Sequence, residues 1–289
     1  VNFSNTNGFL SKTDLNKLKR IISKMLNWSH LIQIGDDMPL INDSASSLTL
    51  NFKTMDKLFK SAFNEDSIIN NSNKLNESGF RKFKCFKYDV LIDVGQIGAS
   101  EVPGHAHADT FNTIVYDSIG PLFVDPGVST YDNNVTRQNE RSTSFHNTLS
   151  VEYENSSEVW SSFRVGRQCA VDIIYESENQ IHAVHNGFSS MGAKVARKWL
   201  IKKNALIIED SIKNSSHRGF QHWILAPDRS FNIFKNAIII NNVKLTFESE
   251  NSKITSQNIF VPVDFNVQKK TTRFSISFMN SLKTTIEFI

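Results

Sequence analysis

The residues best suited to chemistry in this 289-residue chain are gathered in Gly104-His105-Ala106-His107-Ala108-Asp109. Side chains on a β-strand alternate between faces, so a strand here would present His105, His107 and Asp109 together and turn Ala106 and Ala108 the other way. Two imidazoles and a carboxylate fill a core poorly; they line a cleft or begin a metal site. Three other stretches carry comparable groups. Val124-Asp125-Pro126-Gly127 ends a strand pattern on a carboxylate with a Pro-Gly turn behind it. Arg141 to Thr148 sets His146 just before another strand, and Trp160 to Arg167 supplies an aromatic and two guanidiniums, Arg164 and Arg167. His107, Asp125 and His146 are 18 and 21 positions apart, so each would come from a different strand or strand end. Two neutral imidazoles and one carboxylate suit Zn²⁺, with a fourth position for water or a backbone group. Spacing this dispersed is a weak signal by itself and is met more readily by three separately hydrogen-bonded residues. His30, His182, His217 and His222 have no partner visible in sequence, whereas His185, before Asn-Gly-Phe, is better placed to line a groove. Asp36 and Asp37 follow Gly35 and read as loop or helix-cap residues.

The elements that would position these groups are of two kinds. Residues 1–30 predict a helix, with Ser11 and Asp14 as a capping box and Leu15, Leu18, Ile22, Met25 and Leu26 on one face. A second helical pattern runs from Thr54 to Phe63, and the Asn- and Ser-rich stretch from Asn64 to Ser78 reads as a connection. Beyond Gly79 the pattern becomes β. Phe80–Val94 reads as one strand, followed by Phe111–Tyr116, Leu122–Asp125, Thr148–Glu152, Gln168–Tyr175, Ile181–His185, Val195–Ile201, Ala205–Glu209, Phe220–Leu225, Ala237–Ile240, Val243–Phe247, Phe274–Phe278 and Thr284–Phe288. Short strands at this spacing, with turns such as Asn241-Asn242, predict a large antiparallel β-sandwich after a short helical segment. No internal repeat is visible.

Composition narrows the function classes. The net charge of +3 comes from 32 basic and 29 acidic residues scattered along the chain, which argues against nucleic-acid binding. No apolar run is long enough to span a membrane. Cys85 and Cys169 read as two buried free thiols rather than a disulfide. Val1-Asn2-Phe3-Ser4 has neither the basic segment nor the apolar run of a signal peptide. Without an initiator Met the chain reads as a fragment or processed product, so the cytoplasm does not follow.

Taken together, Gly104–Asp109, Pro121–Gly127, Arg141–Thr148 and Trp160–Arg167 come in the order and spacing of the heparinase II/III-like C-terminal domain, which the chain resembles from about Gly79 to Pro227. The Tyr88–Gly98 stretch and His185-Asn-Gly-Phe188 also look like that family. The resemblance implies a polysaccharide lyase acting on uronate-containing anionic chains by β-elimination. Its architecture would pair an N-terminal (α/α) toroid with a C-terminal antiparallel sandwich. Residues 1–78 would then be the tail of the toroid, with Ile34-Gly35-Asp36-Asp37 similar to its Gly-Asp loop, and 79–289 the sandwich. Residue by residue, it implies His107, Asp125 and His146 as ligands of a mainly structural Zn²⁺, and His105 as the histidine facing substrate. Arg141, Arg164 and Arg167 are plausible contacts for an anionic sugar, and Tyr131 could reach the cleft; the family's catalytic tyrosine and amide belong to the toroid and are not carried onto this chain. A polysaccharide substrate implies a periplasmic or secreted protein. The alternatives are a non-catalytic carbohydrate-binding sandwich, a protein that builds or trims surface polysaccharide, and a metal-dependent hydrolase. Oligomeric state is not predicted.

Overall fold

The computed structural model describes residues 10–67, 69, 75 and 78–289. Two helices come first, α1 (Lys12–Ile32) and α2 (Phe52–Phe63). Ser11 caps α1 by accepting the Asp14 N–H, and Asn51 caps α2 by accepting that of Thr54, as the N-terminal residue preferences of helices require. The apolar stripe read on α1 is only partly covered. Leu26 and Ile32 are buried, but Met25 is 63 % exposed. The predicted connection from Asn64 to Ser78 falls largely outside the described residues.

The remainder is antiparallel β. The strands are β1 (Phe80–Lys84), β2 (Tyr88–Asp93), β3 (Thr113–Asp117), β4 (Gly120–Phe123), β5 (Leu149–Val151), β6 (Val159–Trp160), β7 (Arg164–Val165), β8 (Val171–Ser177), β9 (Gln180–His185), β10 (Lys194–Lys202), β11 (Ala205–Lys213), β12 (Gly219–Ile224), β13 (Phe231–Ile233), β14 (Ala237–Ile240), β15 (Val243–Glu248), β16 (Lys253–Asp264), β17 (Val267–Phe278) and β18 (Ser281–Phe288). A short helix, α3 (Val135–Glu140), interrupts them. They form an eight-stranded sheet in the order β13-β14-β15-β18-β11-β10-β9-β8, two four-stranded sheets, β1-β2-β3-β4 and β16-β17-β12-β5, and the small β6-β7 hairpin. Inner faces of the three larger sheets share one core, from Val90 and Ile92 through Trp199 and Ile208 to Trp223 and Phe274. The predicted sandwich is therefore observed.

Several elements differ from the sequence reading, which also did not include α3, β6, β7 or β13. Phe80–Val94 is two strands, because the chain reverses at Cys85-Phe86-Lys87 and the Cys85 N–H bonds the Tyr88 carbonyl. Strand β16 was not predicted; it is largely exposed and polar, and its pairing with β17 holds it. His105–Asp109 lies between strands, in the 94–112 connection, so it has no alternating faces: His105 is exposed while His107 and Asp109 are buried.

Strands β2 and β3 are covered on both sides. Leu91, Ile114 and Tyr116 point away from the main core and pack with Ile32, Ile34 and Leu75, which docks the helical segment on the sandwich. The core also carries an ion pair: Arg197 on β10 faces Asp210 on β11 and donates two hydrogen bonds to it, at 2.6 and 2.8 Å. The same guanidinium donates to the carbonyls of Phe111 and Asn147 at 3.0 and 3.1 Å. Buried ions are tolerated when every donor is used, and here the spare donors anchor the connections that hold His107 and His146.

Candidate functional site

The 105–109 loop is held from several sides. Arg141 donates to the Ala106 carbonyl through Nε and Nη2, and its own carbonyl accepts the Ala108 N–H. Thr143 Oγ1 donates to the Ala108 carbonyl, and the His107 N–H to Asn42 Oδ1. Arg141 is fully buried and also donates to the Trp160 and Ser161 carbonyls, so it braces the loop and is not a substrate contact. Arg167 donates to the Ser156 and Gly187 carbonyls but remains exposed. Arg164 stands exposed on β7, next to Phe163.

His107, Asp125 and His146 meet in the interior, their ligand atoms all within 4.8 Å of one another. Nδ1 of His146 lies 2.8 Å from the Ser142 carbonyl, which can only accept, so this nitrogen carries the proton and Nε2 keeps its lone pair. Nε2 of His107 lies 2.9 Å from Asp43 Oδ1 and donates to it, leaving a lone pair on Nδ1. That Nδ1 faces His146 Nε2 at 3.2 Å. Two lone pairs pointed at each other repel unless a cation lies between them. Burial pulls His146 down to about 3 and lowers His107 too, so protonation does not relieve the contact. Asp125 sits 3.8 Å from His146 Nε2, accepting from the Gly127 N–H and from Asn112 Nδ2. Burial pushes its carboxyl up to about 8, so a positive neighbour is needed to keep it ionised. Metal–ligand bonds of about 2.1 Å in a tetrahedron separate ligands by about 3.4 Å; the His107–His146 and His146–Asp125 separations are 3.2 and 3.8 Å. The donor set therefore fits a divalent cation, with Asp43 completing a carboxylate–histidine–metal arrangement.

Asp43 is the residue that sequence reading missed. It accepts from His107, from His105 Nδ1 at 2.9 Å, and from both terminal nitrogens of Arg137, itself fully buried. Burial alone would raise Asp43, but the His107 and Arg137 hydrogen bonds outweigh it and hold the carboxyl at about 2. His105 is fixed by that bond with its ring 71 % exposed and its Nε2 turned away from Asp43. Around it stand Phe163, with centroid at 5.4 Å, and Tyr131 at 6.0 Å, while Arg137 lies against both rings.

The loop bearing Asp43 is clamped onto the sandwich. Ser44 carbonyl accepts the Val128 N–H, and a Cβ on Gly127, whose φ is +70°, would lie 2.4 Å from that oxygen. On the other flank the β16–β17 turn reaches over: Asp264 accepts from Ser47 N–H and Oγ, and Ser46 Oγ donates to the Val263 carbonyl. A cavity of about 690 Å³ opens beside this loop, lined by Met38, Pro39, Tyr116 and Asp125, and His105 is not in its wall. His185, read as a groove residue, is buried against Cys169 Sγ at 3.3 Å. Cys85 and Cys169 are both free thiols, as expected, but only Cys169 is buried; Cys85 is half-buried.

An antiparallel sandwich whose connections gather two histidines and an aspartate, with a third histidine at the surface, defines the class. The model of the heparinase II/III-like C-terminal family matches residues 69–287, and the chain belongs to that family. Heparan sulfate lyase HepC from Pedobacter heparinus is similar in structure at 15 % identity and a TM-score of 0.67, covering 96 % of this chain and 47 % of its own. A solved heparinase III aligns at 15 % identity and a TM-score of 0.69, covering 96 % and 49 %. The BT4657 heparinase III aligns at 15 % and 0.68, covering 97 % and 48 %. The chain thus spans about half the length of these structures. No curated protein matches it. Among the described residues no helix is long and apolar enough to cross a membrane.

Proposed function

We propose that this chain is the C-terminal part of a polysaccharide lyase that cleaves a uronate-containing anionic polysaccharide by β-elimination. Residues 1–78 would close an α-helical toroid and 79–289 form the sandwich. The observation that carries this reading is His105, an exposed imidazole whose Nδ1–H is committed to buried Asp43, leaving Nε2 to meet substrate. β-Elimination needs a group to take the proton beside the uronate carboxylate, donors to that carboxylate, and an acid for the leaving oxygen. His105 serves as base or donor through Nε2. Tyr131 and Phe163 offer ring faces to the sugar, and Arg164 offers an exposed guanidinium to its carboxylate. His107, Asp125 and His146 would hold Zn²⁺, whose charge, when bound, ties together the three connections behind His105. A polysaccharide outside the cytoplasm makes the protein periplasmic or secreted.

The test uses the longer protein to which this chain would belong. With uronate polysaccharides it should release products bearing the ultraviolet absorbance of an unsaturated uronate. His105→Ala should slow release by about 10²–10⁴-fold, with metal content unchanged. Saturated product ends, or an unaffected variant, would refute the lyase role of His105.

A further inference from the structure

The more deeply buried guanidiniums are accounted for. Arg137, Arg197 and Arg229 each fork onto an aspartate, and Arg141 is spent on carbonyl oxygens. Arg273, on β17, differs. Its Nη1 donates to the Ser144 carbonyl at 3.2 Å and its Nη2 to Gln257 Oε1 at 2.5 Å, but its Nε is buried with no acceptor. Among the described residues no carboxylate is ion-paired with it, and the Phe145 ring lies 5.5 Å from its guanidinium carbon. Burial lowers Arg273 below the ordinary arginine range. Arg273 is half-buried, and a cation partly withdrawn from water without a counter-ion favours an outside anion that completes it.

Arg273 lines a cavity of about 430 Å³ between α3 and the β16–β17 hairpin. Its neighbours in the wall are mostly neutral amides and hydroxyls, among them Asn139, Ser144, Gln257, Asn258 and Gln268. The one carboxyl there, Glu140, is occupied by hydrogen bonds from Ser129 and Gln268, and burial raises its pKa against them. Gln257 is exposed, so its side chain can swing off Nη2 and free one edge of the guanidinium. The cavity lies across α3 from the histidines: Arg137 faces Asp43, while Thr136 and Asn139 face the cavity.

We propose that this cavity binds an oxoanion, a carboxylate or sulfate group, on the guanidinium of Arg273 with the surrounding amides as further donors. A planar guanidinium matches the oxygen pair of such a group, and amides add donors without opposing charge. Acidic groups on a glycan and free inorganic anions share this chemistry. The inference does not depend on lyase activity.

The 289-residue chain is titrated with sodium sulfate and with sodium glucuronate, against sodium chloride of equal ionic strength, following thermal midpoint and binding heat. Both oxoanions should raise the midpoint saturably and chloride should not. Arg273→Met should weaken binding about tenfold or more, while its midpoint without anion equals or exceeds that of the original chain. Gln257→Glu sets a carboxylate against the same Nη2; it should raise the anion-free midpoint and abolish the response, and it keeps the test intact if Arg273→Met does not fold. An unsulfated uronate oligosaccharide binding more tightly than sulfate, and lost in both variants, assigns the site to a glycan; the reverse order assigns it to a free anion. No response in the original chain, or the same response in all three proteins, overturns the proposal.

Discussion

Replacing Asp43 tests the centre of the site. Asp43→Ala removes the acceptor of two Arg137 hydrogen bonds and of one each from His105 and His107. Arg137 is fully buried, and its remaining polar bond is from Nε to the Ser162 carbonyl at 3.0 Å. Breaking a buried pair by deleting one partner costs about 3–5 kcal/mol, chiefly because a charge is stranded. The loss should therefore sit near the top of that range for Asp43→Ala and be smaller for Arg137→Met, which leaves a carboxylate still holding two histidines. Joining the two should recover a coupling of about 2–3 kcal/mol, since the stranded charge is then gone. Urea unfolding followed by fluorescence of the four tryptophans reads all three variants on one scale. An Asp43→Ala loss below about 1 kcal/mol, or strictly additive variants, would refute Asp43 as the hub of a desolvated charge network.

Other expectations follow from single contacts. The purified chain should carry about one zinc, and His107→Ala should lose both the metal and thermal stability by elemental analysis and melting; a metal-free, equally stable original chain would refute the assignment. Gly127→Ala, placing a Cβ 2.4 Å from the Ser44 carbonyl at positive φ, should cost more than about 1 kcal/mol and speed amide exchange across 42–48, and unchanged exchange would count against the clamp. His222, buried between Ser150 and Ser275, is held neutral well below the ordinary histidine range, burial being the largest cause. The unfolded chain takes up this proton below about pH 6.5 and the folded chain does not, so stability falls with acidification. Relative to His222→Gln, the original chain should lose stability progressively as pH falls below about 6.5, by at most about 1.4 kcal/mol per pH unit; a gap that stays constant on acidification would contradict the assignment.

The sandwich was legible because alternation is written locally. Val195, Arg197, Trp199 and Ile201 point inward from β10 as the two-residue period requires. The trio of His107, Asp125 and His146 was legible by residue type, and the fold brings its members together. What failed had no local signature. Asp43 lies in Asn-Asp-Ser-Ala-Ser-Ser, a composition that reads only as loop. Its partners His105, His107 and Arg137 are 62, 64 and 94 positions away. Arg137 sits among polar residues on a six-residue helix too short for a periodic pattern. Cys85–Lys87 lacks the Gly or Asn that usually announces a reversal, which is why the first two strands ran together in the sequence reading. His105–Asp109 mimics a strand in its spacing, but no ladder partner lies alongside, and its carbonyls go to Arg141 and Thr143 instead.

Asn42 and Asp43 precede the sandwich in the chain, and they precede residue 69, where the family match begins. The sandwich is consequently not a cassette that can be moved intact between proteins. Transplanted from residue 79 onward, it would carry Arg137 and the histidines without the carboxylate that orders them, and would need a foreign loop of matching shape to lie against Gly127. Changes at Asn42, Asp43 or Ser44 should therefore be answered by changes at Arg137, Gly127 or the β16–β17 turn. The same clamp predicts that a cut in the segment between α2 and β1 would leave the two pieces associated, each completing the other.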